Sequence, residues 1–136
     1  MDYFRAAAIS AAGMAAEKAR VEAATMNLAN MHNTAAPGTA GYRPVTAVIQ
    51  SEPAPFARVL LAKASVVPQA GPTTRMAFEP GHPNADAEGM VAYPAVDPTQ
   101  EMMTVMTALR SYEANLAALQ AAKTLAAKAL EIGGNS

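Results

Sequence analysis

The chain has 136 residues, ten Lys plus Arg against eleven Asp plus Glu, and no cysteine. Disulfides, thiolate chemistry and cysteine-ligated metals are therefore excluded, and no basic cluster exists to grip a phosphate backbone. Ala supplies 34 residues, while Val, Ile, Leu, Met, Phe and Tyr together supply only 36. A fully buried Leu or Met contributes roughly 1.5–3 kcal/mol and an Ala far less, so core material is scarce. Such a composition disfavours a self-contained enzyme core. It favours helices that complete their packing against other helices.

No run is long and apolar enough to span a bilayer. The Ala-rich stretch 6–16 resembles a secretory core only superficially. Asp2 stands where a positive region belongs, and the helical pattern continues to Leu28, so the stretch reads as mature structure.

All ten prolines lie between Pro37 and Pro98. A proline inside a helix costs about 3 kcal/mol or more, so long helices are confined to the two ends. The expected division is an N-terminal helix region 1–33, a β-rich insert with linkers 34–98, and a C-terminal helix region 99–136. The fold class is mainly α with a small β-rich insert, the two long helices forming a coiled-coil-like pair.

The first helix is expected from about residue 3 to 31. Phe4, Ala7, Ala11, Met14, Lys18, Val21, Thr25 and Leu28 step by three and four, as a heptad seam does. A second, Ala-rich stripe (Ile9, Ala12, Ala16, Ala19, Ala23, Met26) lies beside it. Asn27, Asn30 and Asn33 read first as helix termination with side-chain-to-backbone hydrogen bonds. The alternative is an amide network offered to a partner.

In the middle, Val45, Ala47 and Ile49 alternate as a strand does. The run 56–67 (FARVLLAKASVV) is the best strand candidate, with shorter ones at 75–78 and 90–93. The block 79–89 (EPGHPNADAEG) is turn chemistry. Its His82, Asn84, Asp86 and Glu88 form the most polar constellation, expected to be a solvated turn. No second His stands near for zinc, and the spacing is not that of an EF-hand. No P-loop, dinucleotide fingerprint or nucleophile elbow occurs. Catalytic, cofactor-binding and metal residues are read as none, and cofactors as none.

The second helix is expected from about 99 to 132, stopped by Gly133-Gly134, and roughly 45–50 Å long. Its seam is Met102, Val105, Leu109, Tyr112, Leu116, Leu119, Lys123, Ala126 and Leu130, without a slip. Lys123 reads as a snorkelling edge residue. Met103 and Met106 add to the methionine content and suggest adaptable packing. Periodicity alone leaves two arrangements open: a hairpin burying both seams within the chain, or helices that also pack on other subunits.

The strings EPGHPNADAEGMVAYPAVDPTQEMM and LRSYEANLAALQAAKTLAAKALEIG, with Ser10-Ala11-Ala12-Gly13-Met14, Arg20, NLANMHNT (27–34) and Gly41-Tyr42-Arg43, resemble the bacterial flagellar basal-body rod family. The resemblance is close over 79–133 and generic over 44–78. Met31-His32 and Asp97-Pro98-Thr99-Gln100 depart from the family's pattern, the second implying a later helix start. The resemblance implies a structural subunit of the proximal rod. Its terminal helices would build a tube that transmits torque and encloses the export channel. Implied partners are other rod proteins, copies of itself, the adaptor toward the MS ring and export gate, and the flagellar type III export apparatus. Nucleic acid is not among them. The implied location is the basal body, within the periplasm. Assembly residues on this reading are Met14, Val21, Asn27, Leu28, Asn30, Met102, Val105, Leu109, Tyr112, Leu116, Leu119, Ala126 and Leu130. The terminal helices are expected to be partly disordered until they assemble. The alternative is a soluble coiled-coil dimer acting as a regulatory or chaperone-like binder. An enzyme using His82, Asp86 and Glu88 ranks last.

Overall fold

The computed structural model describes residues 3–50 and 63–134. Two helices, α1 (Tyr3–Asn30) and α2 (Pro98–Gly134), bracket four strands: β1 (Val45–Gln50), β2 (Lys63–Pro68), β3 (Thr74–Phe78) and β4 (Met90–Pro94). At 1.5 Å per residue the helices reach about 42 and 55 Å.

Asp97 starts α2. Its Oδ1 accepts from the N–H groups of Thr99 (2.9 Å) and Gln100 (3.4 Å), and its carbonyl accepts from that of Glu101 (3.0 Å). Pro98 follows at the first helical position, where its missing N–H is harmless. The departure at 97–100 thus does not delay the helix; Asp97-Pro98-Thr99 is its start, within one residue of the expected 99. α2 runs through Gly133 and Gly134, the last described residues, so its end falls within a residue or two of the expected stop. At the end of α1, Asn30 Nδ2 donates to the Met26 carbonyl (2.8 Å), and Asn33 donates to Asn30 Oδ1 (2.8 Å). That is helix termination of the expected kind.

β1 and β2 pair antiparallel, Val45 opposite Pro68 and Gln50 opposite Lys63. This hairpin packs on α1, where Ala23 and Ala24 share a cleft with Val45 and Ala47. The strand expected at 56–67 is found at its C-terminal half; the part over 56–62 lies outside the described residues. β3 and β4 form a second antiparallel hairpin, Thr74 opposite Pro94 and Phe78 opposite Met90.

The turn between β3 and β4 is more tightly built than a solvated loop. Asp86 Oδ1 accepts from the N–H groups of Glu88 (2.9 Å) and Met90 (2.8 Å). Asn84 donates to Thr34 Oγ1 (2.8 Å), which ties the turn to the segment leaving α1. Gly89 closes the turn at φ +77°. A Cβ there would stand 3.0 Å from the Phe78 ring and 3.1 Å from Pro80, so both backbone and space require glycine.

Buried apolar residues among those described are Ala16, Ala19, Ala23, Ala24, Val91, Val96, Ala108 and Ala122. The largest fully buried side chains are Val91 and Asn27. A core of alanines with an asparagine among its largest members leaves most large apolar groups outside.

Candidate assembly surface

α1 and α2 lie antiparallel, with Asn27 opposite Glu101 and Gly13 opposite Asn115. Between them run Ser10, Gly13, Glu17, Ala24 and Asn27 on α1. Facing these are Glu101, Thr104, Ala108, Ser111, Asn115 and Ala122 on α2. This line is small and polar. At Gly13 a Cβ would sit 2.7 Å from Asn115 Nδ2, so only hydrogen lets the amide lie against the helix.

Asn27 is the hub of the line. It is 1% exposed, and its amide makes four hydrogen bonds. Nδ2 donates to the Val45 carbonyl (2.8 Å) and to Glu101 Oε1 (3.0 Å). Oδ1 accepts from the Tyr42 hydroxyl (2.9 Å) and the Val45 N–H (2.8 Å). One side chain thus joins α1, the linker, β1 and the start of α2. Burial, and then the neighbouring Glu101 charge, raise the Tyr42 hydroxyl above its ordinary pKa. Glu17 is also buried. Its Oε1 accepts from Arg20 at 2.7 Å, and its Oε2 has no hydrogen-bond partner among the described residues.

The seams expected from apolar spacing are not this line. Met14, Lys18, Thr25 and Leu28 each follow a buried-line residue by one position. So do Val105, Leu109, Tyr112 and Leu116. One position is about 100° round a helix. In antiparallel helices that rotation carries both seams to the same side of the pair. There Lys18 and Val21 of α1 and Leu109 and Tyr112 of α2 line one groove of about 190 Å³ with Glu17. Of the two arrangements left open, the helices do form a hairpin, but the face it buries is the small, polar line and not the apolar seams. Small and hydrogen-bonding residues let the axes approach, and the bulkier side chains stand on the flank.

Met102 is 56% exposed, Leu109 48% and Leu130 77%; Tyr112 and Leu116 are also exposed. Met14, Val21, Leu28, Val105, Leu119 and Ala126 are half-buried. Of the residues expected to assemble, Asn27 is different: its hydrogen bonds are all taken within the chain, and it offers nothing outward. Asn30 caps α1. The neighbouring Ala stripe has its own use, since Ala16, Ala19 and Ala23 are buried. Lys123 is exposed, as an edge residue should be. The register places Tyr3 opposite Leu125, so α2 continues about nine residues, some 13 Å, past the start of α1.

Gly13, Glu17 and Asn115 are the residues that apolar spacing missed. A stripe of Gly, Ala, Ser, Thr and Asn at steps of three and four was the available signal.

Among its described residues the insert shows no catalytic convergence. His82 Nδ1 accepts from the Asn84 N–H (3.0 Å), and Asp86 is engaged by the turn backbone. Nearby, Tyr93 donates to Glu79 Oε2 (3.0 Å), with the Arg75 guanidinium 4.8 Å from its ring centre. That hydrogen bond raises the Tyr93 pKa. Among the described residues no group of His, Cys, Asp and Glu is placed to hold a metal, and no helix is long and apolar enough to cross a membrane.

Comparison with known proteins points one way. Residues 87–132 match the family model described as the flagellar basal body rod FlgEFG protein C-terminal. The chain is 34% identical to the flagellar basal-body rod protein FlgC of Bacillus subtilis, across 98% of this chain and 99% of that protein. It is 35% identical to that of Salmonella typhimurium, across 92% and 93%. Identity to that of Aquifex aeolicus is also 35%, across 96% and 97%.

Proposed function

The chain belongs to the FlgC family of flagellar basal-body rod proteins, and from that premise we propose that the flank carrying both apolar seams is the face by which it assembles. The chain is a structural subunit of the basal-body rod and associates with other basal-body components. On our reading the neighbours on this flank are copies of the chain and other rod proteins. The helix pairs stand side by side as the wall of a tube around the export channel, and torque passes through the wall. The rod segment lies in the periplasm. The chain reaches it through the flagellar type III apparatus and meets the adaptor toward the MS ring and export gate. The relatives are structural proteins, and nothing about them favours a soluble dimeric binder.

One observation carries the proposal. Two heptad seams, far apart in sequence, meet on one side of the helix pair and stay exposed or half-buried, while the interior holds alanines. Contacts of this kind that do not close between two copies generate a helical assembly. The Asn27 hub keeps the insert-proximal ends of the helices together. Disorder before assembly therefore belongs to the opposite end, around Tyr3 to Ser10 and beyond Leu125.

Leu116→Asp, in the middle of the ridge, tests this. In a strain carrying only that variant, rods should stop before this subunit is incorporated, while the purified chain keeps its helical signal. Normal motility would count against the assignment.

A further inference from the structure

We propose that Met102, Met103 and Met106 form a redox-sensitive modification site, oxidised by hydroperoxides in the unassembled chain and thereby withholding it from assembly. The proposal rests on the assembly reading above. The three residues are 56%, 58% and 59% exposed. They fall within about 100° of arc near the start of α2. Met102 belongs to the ridge; Met106 continues its apolar surface round the outside of α2, and Met103 reaches the opposite flank, where it shares a cleft with Glu17 and Arg20 of α1. Met103 and Met106 line an open cleft with Thr107 and Arg110, so an oxidant reaches sulfur without any opening of the fold.

The chain has no cysteine and no tryptophan. Its thioethers are therefore its softest nucleophiles, and a two-electron oxidant has no thiolate to consume first. Met14, Met31 and Met90 are half-buried, whereas Met26 (40% exposed) and Met76 (53%) are exposed but stand apart, on α1 and β3.

In the reaction, sulfur attacks the distal peroxide oxygen. The O–O bond breaks, an S–O bond forms, and the alcohol or water leaves with the proton. Sulfur is oxidised by two electrons and the peroxide reduced by two. A dithiol reductant reverses the step, giving thioether, disulfide and water. The sulfoxide is polar and resists burial between helices, so an oxidised ridge does not seat. On the assembly reading Met102 is covered in the rod, so oxidation of its sulfur belongs to free chains.

The test treats the full-length chain with hydrogen peroxide. Peptide mass spectrometry then reads oxygen added at each methionine. Sedimentation velocity follows association of the chain alone and mixed with the other rod subunits. The measure is the ratio of treated to untreated association for each protein, so any effect of substitution itself cancels. Met102, Met103 and Met106 should gain oxygen faster than Met14, Met31 and Met90, and association should fall about ten-fold or more. A chain with Met102→Leu, Met103→Leu and Met106→Leu should keep its ratio near one, although its Met26 and Met76 are still oxidised. Equal oxidation rates, an unchanged ratio in the native chain, or an equal fall in the triple variant would each overturn the proposal. Failure of the untreated native chain to associate would instead remove the assembly reading, and this proposal with it.

Discussion

Replacing Asn27 isolates what holds the helix pair to the insert. Asn27→Ala removes all four hydrogen bonds of the buried amide. Each is worth about 0.5–1.5 kcal/mol net, and a buried group left unpaired costs about 1–3 kcal/mol. Tyr42 and Glu101 are half-buried and can recruit water, whereas the Val45 N–H and carbonyl lie at the start of a strand with fewer options. The expected loss is therefore about 2–4 kcal/mol, a large share of a total near 5–15 kcal/mol. In thermal unfolding that corresponds to roughly 10 °C. Asn27→Asp sharpens the test. It keeps an acceptor for Val45 and Tyr42 but turns a second acceptor toward the Val45 carbonyl and Glu101. At neutral pH it should cost at least as much as Ala, and acidification should recover part of the loss because a protonated carboxyl donates again. Circular dichroism with urea titration measures both variants. A loss below about 1 kcal/mol for Ala, or wild-type stability for Asp at neutral pH, would refute the hub.

Gly13→Ala should destabilise despite its helix-propensity gain of about 1 kcal/mol, because its Cβ meets Asn115. Combined with Asn115→Ala the loss should shrink, giving a coupling of about 0.5–3 kcal/mol in a double-mutant cycle; strict additivity would speak against the close approach. Tyr42 supplies a pH prediction. Its folded pKa is raised, so its contribution is full below the unfolded value near 10 and declines as pH rises through the folded one. Unfolding free energy should fall more steeply with alkaline pH in the native chain than in Tyr42→Phe, as measured by urea titrations at stepped pH.

The proline distribution revealed the architecture because a helix interior excludes proline at a cost no packing here could offset. The turn at 79–89 was equally legible as a turn. Its tie to Thr34 was not, since that bond spans 50 residues of sequence. The helix seams were legible as seams, but their spacing left open whether they face each other or outward. Apolar periodicity assumes that large side chains point into their own fold. Here Leu109 and Leu116 point away, and Ala108 and Asn115 occupy the interior. Asn27 shows the converse: an asparagine near a helix end looked like a cap, and only the chain path through Tyr42 and Val45 makes it a hub.

Cysteine accessibility addresses the outward ridge without disturbing its size greatly, and the cysteine-free background makes the label unique. Leu109→Cys should react rapidly with a soluble maleimide in the free chain and stay unlabelled in isolated basal bodies until they are dissociated. Labelling in intact basal bodies as fast as in the free chain would show that the ridge faces solvent after assembly, and that the subunits are joined elsewhere.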